Sequence, residues 1–181
     1  MIRWAVRTTA LALFAATILM VAYSLASLFL PEAELIPDRP SVLDVLAFSV
    51  IFTAFPAVGL VVIWKRPENP IGWIFLVIGF GIVMSVFSTE YAGRVIYAGW
   101  NHPAVELVAW TGSWTWTVAS GMGLTMAVLL FPDGRLPGPR WVPVAWLAAI
   151  IIVMRSWRSA SFRWPRSWFA SGELGARSAN S

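Results

Sequence analysis

Cysteine is absent from this chain of 181 residues, and histidine occurs once, at His102. The first absence excludes disulfides, thiolate metal sites and a cysteine nucleophile, and leaves the compartment open. The second removes the histidine cluster that a metal centre or a relay of general bases would need. Charge is scarce as well. Asp, Glu, Lys and Arg make up 12% of the chain, about half the share of a soluble domain. With 59% hydrophobic residues and a mean hydropathy of +0.73, the composition is that of an integral membrane protein. The net charge of +4 does not point to nucleic acid, because its cations flank apolar runs.

What is present is organised around W-K-R-P-E-N-P-I-G-W, Trp64 to Trp73. Lys65 and Arg66 close one apolar run. Pro67 and Pro70 forbid a continuous helix, because each removes a backbone donor and restricts the residue before it. Asn69 then serves as N-cap, with Pro70 at the first helical position. So short a turn makes its two neighbours antiparallel.

The spacing predicts an all-α polytopic bundle, with spans at about 8–30, 43–64, 71–88 and 107–131 and a short fifth apolar run at 141–154. The first follows Arg3 and Arg7. Its apolar run continues through Leu28, Phe29 and Leu30 beyond Ser24-Leu25-Ala26, so it is read as a retained span rather than a cleaved signal peptide. Ser41 with Asp44 three residues on predicts a capped start for the second, and Pro56 a kink inside it. In the third, Gly72, Gly79, Gly81 and Ser85 predict a narrow strip of small residues for close helix packing. Glu90 and Arg94 pair if that helix continues; Tyr91–Pro103 is otherwise read as a loop or interfacial segment. The fourth crowds Trp110, Trp114 and Trp116 at one end, an aromatic belt, with hydroxyls along its length. The run Trp141–Met154 gives about 21 Å of helix before Arg155, too short to cross.

With the N-terminus cytoplasmic, inside segments hold Arg3, Arg7, Lys65, Arg66, Arg135 and Arg140, and outside loops hold Arg39 and Arg94. That obeys the positive-inside rule at every turn and predicts a multi-pass membrane protein with its N-terminus in the cytoplasm. The tail, 155–181, breaks the pattern, since a fifth crossing would put five arginines outside. Two explanations stay open. The tail is a basic interfacial helix interrupted at Pro165, or it is the product of a shifted frame that cut the fifth span and whatever followed.

Both inner turns carry motifs. The first contains Arg66-Pro67-Glu68-Asn69-Pro70-Ile71-Gly72-Trp73, and the second, Leu130 to Trp141, reads L-F-P-D-G-R-L-P-G-P-R-W. Together, over residues 1–154, they resemble the membrane-embedded N-terminal region of a group of bacterial sensor histidine kinases, mainly of actinobacterial type. The resemblance implies a multi-pass protein of a bacterial inner membrane, whose helices precede a cytoplasmic kinase core. No such core is in this sequence: no Gly-rich phosphate loop follows a strand, and His102 precedes Pro103 in an outer loop. The expectation is therefore a sensory or input module that is not itself an enzyme, with no cofactor and no metal. Its partners are the lipid bilayer and either a second copy or another membrane protein. The residues expected to transmit helix displacement are Arg66, Pro67, Asn69, Pro70, Gly72 and Trp73, with Phe131, Pro132, Asp133, Gly134, Arg135 and Pro137. A small accessory membrane protein is the alternative. A transporter is disfavoured because Asp44, Glu90 and Glu106 sit at helix ends and the span centres are uncharged.

Overall fold

The fold begins with a capping box. Ser41 Oγ accepts the Asp44 amide at 3.1 Å, and Asp44 Oδ2 accepts the Ser41 amide at 3.1 Å. Both orphan donors at that helix start are thereby satisfied, as the sequence predicts. The computed structural model describes residues 2–30, 40–97, 104–130, 134 and 136–161. Among these every regular element is helical: α1 (Ile2–Ser27), α2 (Val42–Lys65), α3 (Pro70–Tyr97) and α4 (Val105–Gly121) come first. A π-helical turn (Met122–Ala127), α5 (Val128–Leu130), a 3-10 turn (Pro139–Trp141) and α6 (Val142–Ala160) complete the order.

α3 is the central element. It packs on α1, α2 and α4, while α6 lies outside and rests on α4 and the π turn. The α2–α3 contact is close because it is made of backbone. A β-carbon at Gly59 would lie 2.6 Å from the Gly72 carbonyl oxygen and 2.8 Å from the Leu76 nitrogen. Further along, the buried ring of Pro56 seats on Gly79. Pro56 has no N–H to give the Phe52 carbonyl, and that oxygen instead lies over Gly79. On α4, Gly81 meets Ala119 and Thr115, and Gly112 meets Ser88. The expected single strip of small residues is thus two. At about 100° per residue, Gly72 and Gly79 share one side of α3 and Gly81 and Ser88 the other.

Three lengths differ from the sequence expectation. α1 ends at Ser27, with Leu28–Leu30 forming a turn. α3 runs on to Tyr97 through a stretch read as loop, because its polar end is packed: Arg94 is 2% exposed and donates to the Ser27 carbonyl. The rest of that stretch, with Trp100 and His102, lies outside the described residues. α4 has 17 residues before the π turn interrupts the expected fourth span. Gly121 and Gly123 are poor helix formers there, and Thr125 Oγ1 bonds back to the Gly121 carbonyl. The hydroxyls of Thr111, Ser113 and Ser120 likewise bond to carbonyls of their own helix.

Among the described residues four helices are long and apolar enough to cross a membrane: α1, α2, α3 and the stretch Pro139–Arg158, which takes in α6. α4 is the shorter one. The run read as too short from 141–154 is corrected here, because helix continues past Arg155 to Ala160. An arginine near a helix end keeps its stem on apolar surface and carries its charge to the interface, so it need not terminate the helix. Trp146, Leu147, Ile150, Val153 and Met154 of α6 are exposed and present an apolar face to lipid. Ile152 of α6 packs on Gly121 of α4, and the chain then runs back along α4. A membrane-impermeant thiol reagent is therefore expected to label Ser161→Cys and Leu136→Cys from opposite sides. The cysteine-free sequence makes each label unique. Labelling of both from one side would show that α6 does not cross.

Candidate functional site

The two motif turns form one joint. In the first, α2 ends at Arg66, whose amide bonds to the Val62 carbonyl at 2.7 Å. The Asn69 amide returns to the Arg66 carbonyl at 3.0 Å, which closes the turn over Pro67. Asn69 Oδ1 accepts the Ile71 amide at 3.0 Å, so it caps α3, which starts at Pro70. Gly72 then lets α3 approach Ile63 and Gly59 of α2, and Trp73 packs beside Ala10, Ile63 and Leu76.

In the second turn, the Gly134 amide bonds to the Leu130 carbonyl at 2.7 Å and ends α5. Gly134 has φ of 72°, a left-handed conformation that favours glycine after a helix. Pro137 is exposed, and Gly138 is extended where the 3-10 turn begins. Phe131, Pro132, Asp133 and Arg135 lie outside the described residues.

What joins them is one contact. The α-carbon of Gly134 sits on Asn69 and Pro70, so close that a β-carbon there would meet Asn69 Oδ1 and lie 2.7 Å from Pro70 Cδ. Two segments separated by more than 60 residues of sequence thus interlock through the cap of α3 and the cap of α5. No protein family, curated protein or solved structure matches this chain. The joint must be judged on its own chemistry, and that chemistry is mechanical. The contact among the described residues is made by a proline, a glycine and the Asn69 amide. Among the described residues no group of three or more His, Cys, Asp or Glu can hold a metal ion.

Arg7 is a member of this end that sequence reasoning used only as a charge. Its Nη2 donates to the Trp64 carbonyl at 3.1 Å, and its guanidinium lies 5.1 Å from the Trp64 ring centroid. A cation there suits the carbonyl end of α2 and ties α1 to the first turn. Nothing local in the sequence pairs positions 7 and 64.

The joint gives a prediction with an internal control. Gly134→Val is expected to cost about 2 kcal/mol, from left-handed backbone strain and the clash with Pro70. It should also raise hydrogen exchange at the Ile71 amide, which the displaced Asn69 no longer holds. Gly138→Val, with open space around it, should change neither melting nor exchange by a measurable amount.

Proposed function

We propose that this protein is a sensory or input module of a cytoplasmic membrane, of the kind that precedes a histidine kinase core. In this reading the N-terminus and both motif turns are cytoplasmic, and the chain itself carries no catalytic residue. The observation that supports it is the joint. The two segments that carry the resemblance are in contact, so a shift of α3 at Pro70 is felt at Gly134 and passed towards α6. A relay of this type needs stiff elements and a close-packed link between them, and the Asn69–Pro70–Gly134 contact supplies both.

The orientation rests on charge. By sequence, Arg3, Arg7, Lys65, Arg66, Arg135 and Arg140 fall at the end with the turns, against Arg39 and Arg94 in the loops at the other. The rule is thus obeyed up to the second turn, and the five arginines from Arg155 onward stand against it if α6 crosses.

The deciding experiment is to sequence the gene through its stop codon and translate the following DNA in all frames. A phosphoacceptor-histidine helix and an ATP-binding core in another frame would establish a kinase input region cut by a frameshift. An unrelated gene directly downstream would overturn the kinase assignment.

A further inference from the structure

At the end of the bundle away from the turns, α1, α2 and α3 part around a cavity of about 180 Å³. Its wall is mostly apolar, with Phe48 of α2 and Val86 of α3, and it includes the hydroxyls of Ser24 and Ser49. Two carboxylates also line it, Asp44 at the start of α2 and Glu90 near the end of α3. Binding sites for small molecules have this composition: a concave apolar surface with a few convergent polar groups.

Among the described residues, the charges around the cavity do not balance. α2 contributes Asp44 and α3 contributes Glu90, while α1 contributes uncharged groups, Ser24 and the Tyr23 phenol. Arg94, one turn beyond Glu90, brings one positive charge and is anchored on the Ser27 carbonyl. Two carboxylates against one guanidinium leave one negative charge among the described residues. Asp44 Oδ2 is engaged by the Ser41 amide and hydroxyl, and the Glu90 carboxylate takes a hydrogen bond from Ser24, but Glu90 Oε2 is buried with no hydrogen-bond partner of its own. A buried acceptor without a donor is costly and rare, and a bound donor is one of its ordinary explanations.

We propose that this cavity binds a small organic monocation, an ammonium group on an apolar body, with the ammonium held by Glu90 and Asp44 and the body against Phe48 and Val86. The volume fits: a cavity of about 150 Å³ takes a benzene ring. The proposal stands apart from the sensory reading, because it concerns binding alone and requires no output.

The test is a calorimetric titration of the full chain in phosphatidylcholine nanodiscs with benzylammonium, and with benzyl alcohol as its uncharged match. Benzylammonium is expected to bind saturably, and benzyl alcohol about tenfold more weakly or less. Glu90→Gln should weaken benzylammonium about tenfold and leave benzyl alcohol unchanged. Val86→Trp, which fills the cavity, should abolish binding of both. If that variant does not fold, as judged by its melting, the Glu90→Gln comparison decides alone. Equal affinity for the two probes would show a cavity blind to charge and overturn the proposal. Saturable binding that both variants leave intact, or no binding beyond that of empty nanodiscs, would overturn it as well.

Discussion

Gly59→Ala is expected to lower the stability of the bundle by about 3 kcal/mol, a large effect for one methyl group. The reason is what the methyl meets. A β-carbon at Gly59 would be 2.6 Å from the Gly72 carbonyl oxygen, 2.8 Å from the Leu76 nitrogen and 3.3 Å from the Leu76 α-carbon. All three are backbone atoms of α3, so no side chain can rotate away to make room. The helices must separate by most of an ångström. Lipid offers no compensating hydrophobic drive to hold them together, since association in a membrane depends on close packing itself. Separation at Gly59 would also lift Pro56 from Gly79, three residues earlier on the same face of α2. Thermal unfolding in detergent micelles, compared with Gly93→Ala, measures it. Gly93 has nothing within 4 Å of its β-carbon position, so that variant should melt within a degree or two of the parent. Equal melting of the two would mean that α2 and α3 are not in backbone contact.

Arg94→Leu should cost a similar amount, about 3 kcal/mol, by a different route. Arg94 is 2% exposed, and its Nη2 donates to the carbonyl of Ser27, the last residue of α1. The last carbonyls of a helix lack partners within it and carry the negative end of its dipole, so a buried cation suits them. Leucine removes the donor and also leaves Glu90 without the cation one turn away. Loss should concentrate at the end of α1, where amide exchange over the last turn should rise first. Arg94→Lys should restore part of the stability, because a single ammonium replaces a forked guanidinium. Arg158→Leu on the exposed face of α6 should fall within about 0.5 kcal/mol of the parent.

The parts of this fold that were legible in the sequence are those with local causes. Ser41 and Asp44 announce a capping box, and Asn69 with Pro70 announces a helix start, because each signal is complete within four residues. The all-helical bundle follows from long apolar runs. What was not legible depends on partners far along the chain. Ser88, Glu90 and Arg94 read as the polar exit of a span, yet Ser88 packs on Gly112 and Arg94 on Ser27, and so α3 continues. Arg155 read as a stop, although its position on an outlying helix near the interface lets it extend. Four small residues on α3 read as one strip, since spacing alone does not say that two helices flank it. At the candidate site, both turns were legible and their contact was not. Gly134 signals a turn, but nothing near it in sequence names Asn69 and Pro70 as its seat. The cavity at the end away from the turns was missed for the same reason, since its wall is assembled from three helices.

The two opposed glycine faces of α3 constrain how that helix can move. Backbone seated on backbone at Gly59 and Gly72, and again at Gly81 and Thr115, acts as a pair of rails on either side of a rod. Rolling the rod would drive side chains into both rails at once, and sliding it would carry Gly72 off Gly59 and Gly79 out from under the Pro56 ring. Asn69 and Glu90 stand at opposite ends of this rod, 21 residues or about 32 Å apart along the axis. The notches hold the length between them in one register with its neighbours, so its ends move with the bundle and not by α3 alone.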